Sequence, residues 1–268
     1  MSDAVYEPVK AELLDTFGDD LMVVNCARVS LRKRSDYVSR AEAIQLATAD
    51  VLSADPRWIG YLDYCQRLGD LGQEACLSFN DWKLVRYLAA AEPRHWTPFA
   101  HPAAQFRVTV PFWLAGQLKR HQVGFALNEV SRRYVSDDPT FHETPVWRGA
   151  PTGGVKQGSS GRLEGEVVGH CDLIYDGAIE QALKAYRGLL ECGVAPEQAR
   201  AVLPVAAMTS WVWTGSLEAW ARLCRQRLDS HAQGENRVFA ALVSAALLEK
   251  FPASWPALVP MALMEAPF

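Results

Sequence analysis

The sequence has little that would indicate an exported, membrane-bound or zinc-stabilised protein. Its six cysteines are scattered without a CxxC pair, and its first fifteen residues contain acids but no apolar segment typical of a signal peptide. No apolar run approaches the roughly 20 residues that span a bilayer. Cysteine and histidine also lack the spacing of a structural zinc site. We therefore expect reduced thiols, no bound metal, no membrane association and a cytoplasmic location.

An excess of positive charge is also missing. The 268 residues include 27 Lys and Arg against 31 Asp and Glu, which gives a net charge of -4. This balance argues against a general nucleic-acid binder, but a small phosphorylated ligand needs only a few local arginines. The hydrophobic fraction of 49% and the charged fraction of 22% are typical of a globular protein.

Hydrophobic periodicity predicts helices and strands in irregular order. Helices are expected in pieces over 41–93 and then over 166–192, 217–228 and 238–248, and strands over 105–110 and 205–214. Because regular βαβ alternation is lacking, we predict an α+β fold in which a mixed sheet packs with helices in a single domain over 1–268.

Two stretches stand apart from this pattern. Residues 51–80 show no chemistry, and we interpret them as an insertion or an oligomer contact in which the aromatic side chains pack. Residues 149–162 are rich in Gly and Ser, which predicts a flexible surface loop that can fold over a ligand as a lid.

The densest polar segment is 120–134, which reads RHQVGFALNEVSRRY and follows the apolar run 108–115. Its arginine side chains match phosphate oxygens, and Ser131 can donate a hydroxyl to the same group. Glu129 should pair with an arginine or accept from a ligand hydroxyl, because a buried carboxylate without a partner is unfavourable. We expect a binding loop that begins at Gly124; the alternative is a solvated, salt-bridged loop.

A second polar cluster occupies 222–233. Arg227 lies between Leu223 and Leu228, where the predicted helix ends. A partly buried arginine keeps its charge, so it can stabilise negative charge that develops on a ring oxygen or nitrogen. We interpret Cys224 as a structural thiol, because the sequence places no histidine beside it as an activating base.

Taken in order, these motifs resemble the flavin-dependent thymidylate synthases. That family carries Arg-His-Arg, a short loop and Asn-Glu-x-Ser-x-Arg-Tyr; this chain has Arg120-His121-Gln122 and then 128–134. Further matches lie at 27–30, 95–101 and Gln117 before this segment and at 199–204 and 227–233 after it, in the same order as in the family.

The chain departs from the family's pattern at two places. Gln122 stands where the family has its second arginine, with one extra residue within 123–127. Further on, 216–218 replaces Asn-Ala-Arg, and Arg222 replaces an asparagine. We hypothesise that Arg222 restores the charge lost at Gln122.

The resemblance implies reductive methylation of dUMP to dTMP, with methylenetetrahydrofolate as carbon donor, FAD as cofactor and NADPH as reductant. It also implies a homotetramer with shared active sites. Arg227 matches the catalytic residue that draws charge toward the N3/O4 side of the pyrimidine. The nucleotide-side positions are Gln117, Arg120, Glu129, Ser131, Arg133, Arg200 and Arg227. The flavin-side positions are His95, Thr97, Arg120, His121, Gln122, Glu129 and Arg222.

Two alternatives stay open at the level of sequence. The same scaffold could methylate or hydroxymethylate another pyrimidine nucleotide such as dCMP. The chain could also be a catalytically silent module that binds a flavin or a nucleotide, although the joint presence of Ser131, Arg133 and Arg227 argues against this.

Overall fold

A computed structural model describes residues 3–50, 55–144, 146–151 and 159–264 of the chain. Helices and strands mix without βαβ repetition, which confirms the predicted α+β class. The strands are β1 Val5–Glu7, β2 Lys10–Phe17, β3 Val38–Ser39, β4 Ala75–Cys76, β5 Ala103–Pro111, β6 Phe125–Glu129, β7 Thr140–His142 and β8 Met208–Ser216. The helices are α1 Asp20–Arg28, α2 Arg40–Asp50, α3 Arg57–Asp70, α4 Phe79–Ala90, α5 Phe112–Leu118, α6 Glu166–Glu191, α7 Pro196–Ala199, α8 Leu217–Arg227, α9 Gly234–Lys250, α10 Ser254–Leu258 and α11 Met261–Met264.

The central sheet has four antiparallel strands in the order β2-β5-β8-β6. Its two inner strands, β5 and β8, pair over their full length, from Ala103 opposite Ser216 to Pro111 opposite Met208. Two small sheets lie apart from it: β1 pairs in parallel with β7, and β3 pairs antiparallel with β4. The parallel component of the predicted mixed sheet is therefore a separate two-stranded unit.

The core is dominated by aromatic rings between the central sheet and α8. Trp213 and Trp220 are fully buried, with ring centroids 5.1 Å apart, and Phe106 meets Trp220 at 4.9 Å. The Trp220 indole N–H donates to the carbonyl of Ala104 at 3.0 Å, so its polar atom is satisfied. Burying each such ring contributes about 2–3 kcal/mol, and this packing fixes α8 against the sheet.

Helix boundaries follow local capping signals. The Ser216 hydroxyl accepts from the Ala219 N–H at 3.2 Å, so Ser216 is the N-cap of α8. The Asp19 carboxylate caps α1 in the same way, through the Met22 N–H at 2.8 Å. The predicted helix over 166–192 is confirmed as α6, and Gly193 follows it at φ +81°, a conformation that glycine adopts easily.

Three boundary predictions were wrong. The predicted loop beyond Gly124 contains strand β6, because its edge pairs with β8 and the Phe125 ring packs on Trp213 at 4.6 Å. The predicted strand over 205–214 begins only at Met208, since a turn closed by the Ala207 N–H and the Pro204 carbonyl precedes it. The helix predicted over 238–248 begins earlier, at Gly234, and two short helices follow it.

The described part of 51–80 packs as the sequence suggested. Tyr61 and Tyr64 of α3 are buried in the main core, and Trp58 stacks on Phe79 with centroids 3.5 Å apart. Residues 51–54 lie outside the described residues, and whether the stretch is an insertion or an oligomer contact stays a prediction. The single-domain boundary at 1–268 also stays a prediction.

The predicted loop over 149–162 is described only at its base. The Gly149 N–H donates to the Gly161 carbonyl at 3.0 Å, and Arg148 forms an antiparallel bridge with Arg162. Residues 152–158 lie outside the described residues, so the predicted flexibility stays untested.

All six cysteines are free thiols. Within the four described ranges, no helix combines the length and apolarity of a membrane crossing. The same ranges contain no group of three His, Cys, Asp or Glu side chains placed to hold a metal.

The buried Asp20 gives a test of the packing between α1 and α10. Its carboxylate accepts from the N–H groups of Ala253 and Ser254 at 2.7 and 2.9 Å. Burial raises the pKa of Asp20 from 3.8 to about 6, even though these hydrogen bonds lower it. A carboxyl group with a raised pKa stabilises the fold at low pH, and that contribution is lost as the pH rises through about 6.

We predict that Asp20→Asn gains stability relative to the wild type by about 2–3 kcal/mol between pH 4 and pH 7, because the amide cannot ionise. Urea denaturation at unit pH intervals measures this difference. Parallel stability profiles for the two proteins would contradict the assignment.

Candidate active site

The two polar clusters of the sequence meet where the turn after α5 runs along α8, from Arg227 at the C-terminal end of the helix to Ser216 at its N-cap. Gly124 makes this approach possible: it has φ +82°, and a Cβ there would lie 2.9 Å from the Ala219 side chain. Its carbonyl accepts from the Ser216 N–H at 3.1 Å, which ties the turn to the junction of β8 and α8. Any larger residue at 124 would push the turn off this junction.

Arg227 is the centre of the site. Its Nε donates to His121 Nε2 at 3.0 Å, and its Nη2 donates to the carbonyl of Gln117 at 3.1 Å. Burial, followed by the charge of Arg120, lowers the pKa of Arg227 below its usual range, but a guanidinium remains charged at neutral pH. In the described part of the chain, no hydrogen bond involves its Nη1, which is therefore available to a ligand.

His121 accepts from Arg227, so its Nε2 must be unprotonated. Burial and the charges of Arg227 and Arg222 lower the pKa of His121 from 6.5 to about 4. The imidazole is thus neutral at pH 7, with its proton on Nδ1. A neutral acceptor orients the arginine without cancelling its charge.

Gln117 is held by two side chains at the start of α9. Its Oε1 accepts from Asn236 Nδ2 at 2.8 Å, and its Nε2 donates to Gln233 Oε1 at 2.7 Å. Asn236 is fully buried, and sequence reasoning missed it.

Glu129 lies at the end of β6, and among the described residues its ion-pair partner is Lys119 rather than an arginine. The other part of the expectation, that Glu129 accepts from a ligand hydroxyl, stays a prediction. Glu129 Oε1 accepts from the Thr209 hydroxyl at 2.7 Å and lies 2.5 Å from the ammonium of Lys119. The Lys119 ammonium also lies 5.0 Å from the ring centroid of Trp211. Sequence reasoning missed Thr209, which the antiparallel pairing of β6 with β8 brings to Glu129, and Lys119, which follows α5 ten positions before Glu129.

Ser131 and Arg133 follow β6 on an exposed turn. Arg133 Nε donates to the Ser131 hydroxyl at 3.1 Å, so the two groups are close enough to bind one anion. The neighbouring Arg132 points elsewhere, and its Nη1 donates to the carbonyl of Asp137 at 2.8 Å.

Arg200 lines a cavity of about 410 Å³ with Arg132, the residue between Ser131 and Arg133. Its Nε donates to the carbonyl of Glu197 at 3.2 Å. Phe112, Glu197, Ala201, Leu203 and Val205 complete the lining.

The turn that carries His95 and Thr97 is fastened to α8 by an ion pair. Arg94 Nη2 donates to Glu218 Oε1 at 2.7 Å, and the Glu218 side chain is only 9% exposed. Glu218 is one of the positions at which the sequence departs from the family it resembles, and here it has a structural role. His95 itself packs on Tyr87 with ring centroids 5.9 Å apart.

Arg222 faces the turn that contains Gln122. Its Nη2 donates to the carbonyl of Val123, and its charge contributes to the lowered pKa of His121. The position is compatible with the hypothesis that Arg222 restores the charge lost at Gln122, which stays a prediction.

The lowered pKa of His121 can be tested directly. We predict that its ring NMR signals stay at neutral-form positions from pH 8 down to about pH 5, because the folded-state pKa is about 4. Arg227→Met should raise the titration midpoint of His121 toward 6.5, because it removes the charge of Arg227. The midpoint should stay below 6.5, because the ring remains buried. The His121→Gln variant lacks these ring signals and so identifies which of them belong to His121. A wild-type midpoint near 6.5, unmoved in Arg227→Met, would contradict the described contact.

Comparison with known proteins identifies the family. The model of the family described as thymidylate synthase complementing protein matches residues 12–253, which include every residue of the site above. The flavin-dependent thymidylate synthase of Thermosipho melanesiensis is 34% identical over 175 residues, covering 64% of this chain and 73% of its own. A flavin-dependent thymidylate synthase of Thermus thermophilus is 33% identical over 208 residues, covering 74% of this chain and 75% of its own.

Among solved structures, the UMP/dUMP methylase PolB from Streptomyces cacaoi, bound with 5-Br dUMP, has the same fold. Its TM-score is 0.70 at 24% identity, and the match covers 95% of this chain and 96% of PolB. The family match spans the fold, the motif at 120–134 and the cluster around Arg227. The chain therefore belongs to the family of flavin-dependent thymidylate synthases.

Proposed function

We propose that the protein methylates dUMP to dTMP in a reductive, FAD-dependent reaction, with methylenetetrahydrofolate as carbon donor and NADPH as reductant. The observation that carries the proposal is the Arg227 guanidinium. Its Nε donates to neutral His121 and its Nη2 donates to the Gln117 carbonyl. No described residue forms a hydrogen bond with its Nη1, which is therefore available to a ligand.

In this role Arg227 acts on the pyrimidine without covalent attack by the protein. A charged donor near O4 or N3 of the ring stabilises the enolate-like charge that makes C5 nucleophilic. Because His121 and Gln117 hold the guanidinium before the ligand arrives, little reorganisation is needed when charge develops.

The buried thiol of Cys224 supports a mechanism without a cysteine nucleophile. Cys224 is fully buried, its Sγ donates to the Ala240 carbonyl at 3.7 Å, and burial raises its pKa. A protonated and inaccessible thiol cannot attack a ring carbon.

The donor set around 120–123 fits the polar and anionic parts of a flavin nucleotide. Arg120, His121 and Arg222 provide two charged guanidiniums and an Nδ1–H donor around one turn. When bound, FAD supplies the hydride that reduces the transferred carbon. On the proposed assignment, Gln122, Glu129, His95 and Thr97 complete the flavin side.

The nucleotide phosphate would be bound by Ser131 and Arg133, whose polar atoms lie 3.1 Å apart. Arg200 is also assigned to the nucleotide, and it lines a cavity with Arg132, the residue between Ser131 and Arg133. We propose a homotetramer with shared active sites, in which Arg200 serves the site of a neighbouring subunit.

The first test is a product assay. The protein is incubated with FAD, NADPH, methylenetetrahydrofolate and either dUMP, UMP or dCMP, and the product is identified by mass. We predict a gain of one methyl group on dUMP. UMP is included because PolB is described as a UMP/dUMP methylase. Conversion of dCMP alone, or addition of a hydroxymethyl group, would replace the proposal with one of its alternatives.

Arg227→Ala should abolish dTMP formation, with a loss of at least about 100-fold, because the developing ring charge loses its fixed cationic partner. Flavin should remain bound, as read from the absorbance of the purified protein. Arg107→Ala, which removes an exposed arginine of β5 paired with Glu12, is the matched control. Near wild-type turnover by Arg227→Ala would contradict the catalytic role assigned to Arg227.

Arg133→Ala should raise the dissociation constant of dUMP about 10-fold, because a charge-assisted phosphate contact is lost. Equilibrium dialysis with radiolabelled dUMP measures the effect. Deoxyuridine lacks the phosphate, so its binding should change much less. Equal losses for nucleotide and nucleoside would show that Arg133 does not contact the phosphate.

A further inference from the structure

We infer that Lys119 is a positioning and charge-neutralising residue for the nucleotide site, acting through Glu129. This inference rests on the proposed function, together with the family resemblance that assigns Glu129 to both the nucleotide and the flavin. Neither the resemblance nor the comparisons give Lys119 a role.

The geometry ties Lys119 to one oxygen of Glu129. The ammonium lies 2.5 Å from Oε1, and the Thr209 hydroxyl donates to the same oxygen at 2.7 Å. The Lys119 ammonium is confined on another side by the Trp211 ring, at 5.0 Å from its centroid. Trp211 is 2% exposed, so this wall is part of the core.

The arrangement leaves Glu129 with one oxygen for a ligand. Lys119 and Thr209 engage Oε1, and no hydrogen bond in the described ranges involves Oε2. The carboxylate is therefore oriented before a ligand arrives and can accept from a ligand hydroxyl or ring N–H through Oε2.

Charge explains why the partner must be a cation. A nucleoside monophosphate carries nearly two negative charges, and Glu129 would repel it in a partly buried site. The side chains of Lys119 and Glu129 are 27% and 28% exposed, so water screens this repulsion only in part. An ammonium at 2.5 Å cancels the charge of the carboxylate while leaving its free oxygen as an acceptor.

Three arginines of the site donate to groups other than Glu129. Arg132 donates to Asp137, Arg133 donates to Ser131, and Arg227 donates to His121 and Gln117. None of these three guanidiniums neutralises the Glu129 carboxylate; they hold other groups of the site or bind its ligands. Lys119 supplies the compensating charge from the end of α5.

The test is a double-mutant cycle on dUMP binding by the flavin-saturated protein, read as the dissociation constant and as the separate KM and kcat. Lys119→Met keeps the aliphatic packing on Trp211 but removes the charge. We expect the dissociation constant and KM to rise at least about 10-fold, with kcat reduced less than about threefold. Lys119→Arg should retain most of the affinity.

Lys119→Met combined with Glu129→Gln is the decisive variant. If Lys119 acts by neutralising the carboxylate, the double variant should bind dUMP within about threefold of Glu129→Gln alone. Lys10→Met is the matched control, because it removes a Lys–Glu pair of 2.6 Å on the far strand β2. Unchanged affinity in Lys119→Met, or a loss that Glu129→Gln does not rescue, would overturn the inference.

The two proposals fail in different ways. A wild-type protein that binds dUMP but forms no dTMP would refute the proposed reaction, while the binding cycle would still decide the role of Lys119. A wild-type protein that binds no dUMP under these conditions would overturn both.

Discussion

The structure depends on holding one partly buried guanidinium in place. Arg227 ends α8, and its orientation is fixed by the neutral imidazole of His121 and the carbonyl of Gln117. Gln117 is in turn held by Asn236 and Gln233 at the start of α9. A guanidinium already placed by neutral acceptors keeps its full charge for a ligand, and this is the condition for stabilising negative charge on a pyrimidine ring.

Most of the fold serves this placement. The antiparallel pairing of β6 with β8 places Phe125 opposite Gly215, so the first part of the polar segment 120–134 lies beside the beginning of α8. The tryptophan core holds α8 to the sheet. Two residues that depart from the family pattern also hold segments around the site in place. Glu218 no longer resembles a ligand-binding arginine but fastens Arg94 at 2.7 Å, and Arg222 donates to the carbonyl of Val123 beside Gln122.

Local signals in the sequence were sufficient for the fold class and for the long helix α6. They also singled out Arg227 and His121, which the structure brings into contact and whose roles stay predictions. They failed for β6, which owes its extended conformation to pairing with β8. They also failed for Lys119, Thr209 and Asn236, whose partners are 10 to about 120 positions away along the chain. Contacts made by strand pairing and helix packing have no local periodic signal.

The most direct test of the central claim is a crystal structure of the flavin-loaded protein with dUMP. The measured quantity is the distance from the Arg227 guanidinium to the pyrimidine O4 and N3 atoms. We predict a hydrogen bond of about 3 Å to the ring, made while Arg227 keeps its contacts with His121 and Gln117. A pyrimidine bound with Arg227 far from its ring would contradict the account.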